Sequence, residues 1–317
     1  MQTLCAAVPA YTDAIARWPG ARVRFSLANG AGVLRGILHQ ASVPDASVKG
    51  AVLLVHGIGG SSESMYVVRA AVALLGRGFD VVRLNLRGAG DTMKESPTLY
   101  HAGLSSDIDC AIRGLSRLSR TRDLFVLGFS GGGSLALKMA GEWGDHAPSD
   151  VKGVAAMSAP LDMLAIGRWI DGPGRAPYRF HVMRGLVRSA RAYARTWPDL
   201  VRFDVRRLSR LASVHSYDAT VIVPMHGFSS VEAYWSAASA GPWLRHIRTR
   251  ALLVHAMDDP MVPGETVVPA LAGASPRLQV RLSGRGGHLG WVSGAREDAW
   301  VGGWWPLRHV MAFFEGS

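Results

Sequence analysis

The sequence predicts an α/β protein with a mostly parallel central sheet, helices on both faces and one helical insertion. Short apolar runs alternate with longer segments of helical period, the pattern of parallel strands buried on both faces. That alternation stops near Pro160 and resumes after Val223. A pentapeptide of the form G-x-S-x-G, Gly128-Phe129-Ser130-Gly131-Gly132, falls between a predicted strand and a predicted helix.

The elements follow in order. Val23 to Leu27 and Gly32 to His39 predict an opening hairpin with Asn29-Gly30 as the turn. Ala51 to Val55 is a continuous apolar strand, and Ser61-Ser62 offers an N-cap for a helix carrying Val67, Val68, Val72 and Leu75, closed by Gly76 and Gly78. Phe79 to Leu86 is the next buried strand. Asp107 to Leu118 has a helical apolar face of Ile108, Ile112, Leu115 and Leu118. Leu124 to Leu127 is a strand aimed at Ser130, Ser134 to Trp143 a helix, and Val154 to Met157 a strand ending at Ser158-Ala159-Pro160. Residues 160–223, rich in glycine, proline and arginine, predict an inserted cap, with 1–159 and 224–317 forming the core domain. A helix around Val231 to Ala238, strands at Ala251 to His255 and Leu278 to Leu282, and a helix around Pro306 to Phe314 complete the reading.

The 317 residues, 48% of them hydrophobic, suffice for a well-filled core. No apolar run reaches the roughly 18 residues of a membrane span. The apolar stretch Ala6 to Ala10 ends at Tyr11, Thr12 and Asp13, which is not a secretory leader, so a cytoplasmic location is expected. Two cysteines, Cys5 and Cys110, do not suggest a disulfide framework. The net charge of +11 could favour anionic partners. Lysine stands only at 49, 94, 138 and 152, so the surplus is arginine, which reads first as compositional bias. The clustering between Arg168 and Arg210 leaves weak contact with an anionic membrane surface as the alternative, and no nucleic-acid partner is expected. The tryptophans at 291, 300, 304 and 305 are expected to pack rather than to stack on bases. No ligand spacing among histidines, cysteines or carboxylates suggests a metal, and no cofactor is expected.

A serine on a tight strand-to-helix turn needs small neighbours two residues either side, and Gly128 and Gly132 supply them. Its hydroxyl is a weak nucleophile until a histidine takes its proton and a carboxylate orients that histidine. His288, in the loop Gly286-Gly287-His288-Leu289-Gly290, is the candidate base. Asp258 and Asp259 follow the strand ending at His255. Asp259 is preferred as the orienting carboxylate from the form Asp259-Pro260-Met261-Val262-Pro263, leaving Asp258 to cap the following turn. The N–H groups of Ile58, in His56-Gly57-Ile58-Gly59-Gly60, and of Gly131 are the candidate oxyanion donors, with His56 bracing its loop.

These motifs resemble the α/β-hydrolase superfamily, and within it the YheT-type hydrolases and ABHD lipases of the AB hydrolase 4 family. The resemblance runs from about Gly50 to Phe314 and includes Asn85-Leu86-Arg87-Gly88, His226-Gly227 to Tyr234 and His255-Ala256-Met257-Asp258-Asp259-Pro260. It departs at Thr249-Arg250, where such chains often carry proline, and in the cap, which has no close counterpart. The resemblance implies a cofactor-free serine hydrolase cleaving a carboxylic ester, of a lipid or other acyl chain, through an acyl-enzyme. Acyl transfer or perhydrolysis by the same residues, and a catalytically silent binding protein of this fold, are the rival readings.

Overall fold

The computed structural model describes residues 10–291 and 304–316. Cys5 and Trp300 lie outside the described residues. After a short helix α1 (Ala10–Ile15), strands β1 (Gly20–Ser26) and β2 (Val33–His39) form an antiparallel hairpin. The connection is a 3-10 turn at Ala28–Gly30, closed by the Leu27 N–H on the Gly32 carbonyl at 2.8 Å, rather than a two-residue turn.

The remaining strands are β3 (Gly50–Val55), β4 (Phe79–Asn85), β5 (Leu124–Phe129), β6 (Val151–Met157), β7 (Ala251–Ala256) and β8 (Leu278–Ser283). They pair in the order β1-β2-β4-β3-β5-β6-β7-β8, and β3 to β8 run parallel. A parallel sheet puts all its carboxyl ends on one edge, so the loops after β3, β5, β7 and β8 meet there.

Side chains alternate across the sheet and create two cores. Leu53, Val55 and Val126 face helices α3 (Ser105–Leu118) and α4 (Gly131–Trp143), through Ile108, Ile112, Leu135 and Met139. Val52, Leu54 and Leu127 face α2 (Met65–Leu75) and, beyond the cap, the closing helix α11 (Trp305–Glu315), through Val67, Leu74, Val310 and Phe314. The N-cap of α2 is Ser64 rather than Ser61 or Ser62. Those two belong to the preceding turn, where the Ser62 N–H donates to Asn85 Oδ1 at 2.7 Å and the Ser61 N–H to Ser64 Oγ at 2.9 Å.

Between β6 and β7 the chain forms α5 (Met163–Asp171), the long α6 (Ala176–Thr196), α7 (Val214–Tyr217), a π-helical turn at Asp218–Ile222, α8 (Val223–His226) and α9 (Val231–Ala238). A third buried cluster joins Met183, Ala190, Tyr193, Leu208, Tyr217 and Ile222 to Val231, Tyr234 and Trp235 of α9. Asp218 is buried in it and accepts a hydrogen bond from Trp235 Nε1 at 2.7 Å. Burial, with a smaller contribution from Asp171, pushes the Asp218 carboxyl up to about 7 against the pull of that hydrogen bond. A short helix α10 (Gly264–Val267) follows β7. Trp291 stacks on Trp305, and Trp304 is buried against Phe129, so these indoles serve packing. Among the described residues no helix is long and apolar enough to cross a membrane.

Candidate active site

Ser130 follows β5 and caps α4 with φ 50° and ψ −122°, a left-handed conformation that costs an L-residue about 1–3 kcal/mol. The flanking glycines make it sterically feasible. A Cβ on Gly128 would stand 2.3 Å from the Gly132 carbonyl oxygen, and one on Gly132 would stand 2.4 Å from that of Val55. The free N–H groups at the start of α4, and its positive dipole end, are directed toward the space beside the hydroxyl.

His288 Nε2 lies 3.0 Å from Ser130 Oγ, and its Nδ1 lies 2.8 Å from Asp259 Oδ2. The serine hydroxyl can donate to Nε2 while Nδ1–H donates to the carboxylate. That is the tautomer in which the imidazole can accept the serine proton. Asp259 is buried, and its Oδ1 accepts the N–H groups of Met261 and Val262, each at 2.9 Å. Burial works to raise this carboxyl, but His288 and the Val262 N–H outweigh it and hold it below the ordinary value, so it stays an anion.

The two adjacent acids divide the work differently from expectation. Asp259 both faces His288 and caps the turn after β7. Asp258 does not cap that turn: its Oδ1 accepts the N–H groups of Gly286 at 2.7 Å and Gly287 at 2.9 Å, tying down the loop that carries His288. Both acids lie in the turn that follows β7, which directs Asp258 to the loop of His288 and Asp259 to the His288 ring. The sequence signal was the acid pair itself, followed by a glycine pair next to the histidine.

Among the described residues, the N–H groups of Ile58 and Gly131 meet no hydrogen-bond acceptor, and a Cβ on Gly131 would lie 3.5 Å from the Ile58 nitrogen. The two donors therefore stand side by side next to Ser130. Their loop is braced from two sides. The Leu86 N–H donates to His56 Nε2 at 3.2 Å, which leaves the ring proton on Nδ1, where it is donated to the Gly57 carbonyl at 2.8 Å. Burial lowers His56 to about 4, so the ring is neutral. The Gly57 N–H donates to the Tyr66 hydroxyl at 3.0 Å, a contact the apolar periodicity of α2 gave no means to anticipate.

A cavity of about 480 Å³ adjoins this loop. Its walls come from Gly57 to Ser61, Leu86 to Gly90, Tyr100 and Tyr217, and from Gly185, Leu186, Arg188, Ser189 and Ala192 of α6. The loop after β4 is fixed by a buried ion pair in which Arg87 grips both oxygens of Asp107, at 2.7 and 2.5 Å. Among the described residues no three histidine, cysteine or carboxylate side chains gather as a metal set.

Residues 50–295 match the family model described as the alpha/beta hydrolase fold. The chain is 27% identical over 270 residues to a monoacylglycerol lipase of Saccharomyces cerevisiae, covering 83% of this chain and 59% of that one. It is 24% identical over 249 residues to YheT of Escherichia coli (78% and 72%), and 23% identical over 251 residues to phospholipase ABHD3 of Homo sapiens (79% and 60%). It therefore spans only about three fifths of the yeast and human relatives. Among solved structures, the esterase Pf2001 of Pyrococcus furiosus superposes with a TM-score of 0.60 at 14% identity, covering 98% of this chain and 96% of that one, which speaks to the fold. The chain belongs to the α/β-hydrolase fold family and is of the YheT and ABHD type.

Proposed function

We propose that the protein hydrolyses a carboxylic ester of a lipid or another acyl compound, with Ser130 as nucleophile, His288 as general base and Asp259 as the orienting carboxylate. The observation that carries this reading is the unbroken chain from Ser130 Oγ through the His288 ring to Asp259, at 3.0 and 2.8 Å, with the serine in a strained left-handed conformation. Ser130 Oγ attacks the ester carbonyl as its proton passes to His288 Nε2. The N–H groups of Ile58 and Gly131 stabilise the oxyanion, each worth about 3–4 kcal/mol in comparable sites. The imidazolium then gives its proton to the departing alkoxide, leaving an acyl-enzyme that water, deprotonated by His288, cleaves to release the acid.

The relatives named as lipase and phospholipase support the ester class. Residues 160–223 act in this reading as a cap, since α6 supplies one wall of the cavity beside Ile58. A fluorophosphonate probe tests the proposal: it is expected to label the native chain at Ser130 and to leave Ser130→Ala unlabelled. Labelling that survives this substitution, or a native chain that is never labelled, overturns it.

A further inference from the structure

Eleven arginines and only three acids lie between residues 168 and 210, which concentrates most of the chain's net positive charge in the cap. Across the core, Arg35, Arg83, Arg87, Arg113, Arg120 and Arg248 each hold a carboxylate. In α6, by contrast, Arg184, Arg188, Arg191 and Arg195 are exposed, and none is in an ion pair among the described residues. Of the three acids, Asp171 accepts the N–H groups of Val214 and His215 and Asp204 pairs with Arg207, while Asp199 is exposed beyond the end of α6 and pairs with none of these arginines among the described residues. Other exposed arginines, such as Arg117, Arg122 and Arg277, also hold no carboxylate among the described residues; what sets α6 apart is that four of them share one face of one helix.

At 100° per residue, Phe180, Arg184, Arg188, Arg191 and Arg195 fall within a stripe about 80° wide along a helix about 30 Å long. The opposite face, with Met183, Ala190 and Tyr193, is buried in the cap. Phe180 is 68% exposed at one end of the stripe, and Arg188 belongs both to the stripe and to the wall of the cavity. We propose that this face of α6 docks the protein on an anionic lipid bilayer, with the arginines on headgroup phosphates and Phe180 at the apolar boundary, so that the cavity faces the lipid. The apolar face of α6 is consumed by the cap, so the contact is electrostatic docking with a single aromatic anchor rather than insertion of the helix. A lone exposed ring does not make the stacking platform that single-stranded nucleic acid uses. The supply of ester from that surface rests on the proposed function, whereas the docking itself does not.

Co-sedimentation of the full chain carrying Ser130→Ala, which leaves the lipid intact, tests the docking. Binding is expected to vesicles of phosphatidylcholine mixed with phosphatidylglycerol, to be absent with phosphatidylcholine alone, and to fall steeply as salt shortens the Debye length. The triple variant Arg184→Gln, Arg191→Gln and Arg195→Gln spares the cavity residue Arg188. At about fivefold per arginine it is expected to lose about a hundredfold in partitioning. The same charge removed at Arg117, Arg122 and Arg277, all exposed and far from α6 in sequence, is expected to change partitioning by less than about threefold. An unchanged melting midpoint verifies that each variant is folded. Equal binding to both vesicle types, equal loss in both triple variants, or tighter binding of an RNA duplex to the same arginines overturns the proposal. Vesicle binding together with a native, Ser130-bearing chain that no fluorophosphonate labels would sink the hydrolase reading and leave the docking standing.

Discussion

Gly132 and Gly185 press on the same loop from opposite sides, and they have opposite room to spare. A Cβ on Gly132 would be driven to 2.4 and 2.5 Å from the carbonyl oxygens of Val55 and His56, whereas one on Gly185 would meet the Gly59 Cα at an ordinary 3.5 Å. The core side of the site is thus set by backbone against backbone, with no give. On the other side, helix α6 meets the loop glycine to glycine with room for a methyl group.

The largest effect belongs to the core: Ser130→Ala is expected to lower ester turnover by roughly 10⁴- to 10⁶-fold with little change in the melting midpoint, since the one contact it removes is the hydroxyl's hydrogen bond to His288. Next, Gly132→Ala is expected to cost roughly 3 kcal/mol of stability or more, read from denaturant midpoints, because the facing carbonyls are backbone and cannot yield.

In the cap, Asp218→Asn is expected to stabilise the protein in a pH-dependent manner. The folded carboxyl sits at about 7 against an ordinary 3.8, so the wild type loses stability as pH rises from about 4 to about 7 and loses no more above that. The stability gain of the amide, read from denaturant midpoints, should therefore be near zero at pH 4 and reach about 4 kcal/mol by pH 8. A gain independent of pH would contradict the burial argument.

Asp258→Ala is expected to reduce kcat about 10- to 100-fold with KM little changed, by releasing the Gly286 and Gly287 N–H groups, while Asp258→Asn retains an acceptor and most of the rate. The smallest effect is Gly185→Ala, expected to add up to about 1 kcal/mol through helix propensity. If it instead abolished turnover, the cap would be as tightly fitted as the core.

The core strands were legible because burial on both faces leaves continuous apolar runs, as in Ala51 to Val55 and Leu124 to Leu127. Ser130, Asp259 and His288 could be nominated from sequence because each leaves a strand on the same sheet edge, and the distances among them now join the three. The N-cap of α2 was displaced to Ser64 because three serines in four residues offer equivalent hydroxyls, and only the Asn85 contact of Ser62 selects among them. Residues 160–223 were legible as an interruption of the strand and helix alternation but not as a structure. Their helices bury residues such as Tyr217 and Trp235 against one another across long intervals, and their arginine stripe emerges only once α6 is known to run unbroken for 21 residues.

The way His56 clasps its loop has a bearing on how acid inactivation would be read. Because that ring accepts no proton until about pH 4, folded molecules keep the Ile58 amide aligned throughout the interval in which an ordinary imidazole is titrated. Overall stability does decline between about pH 6.5 and 4 on its account, since only the unfolded chain gains the proton there. Within the surviving native population the Ile58 amide is consequently expected to stay in place down to about pH 4.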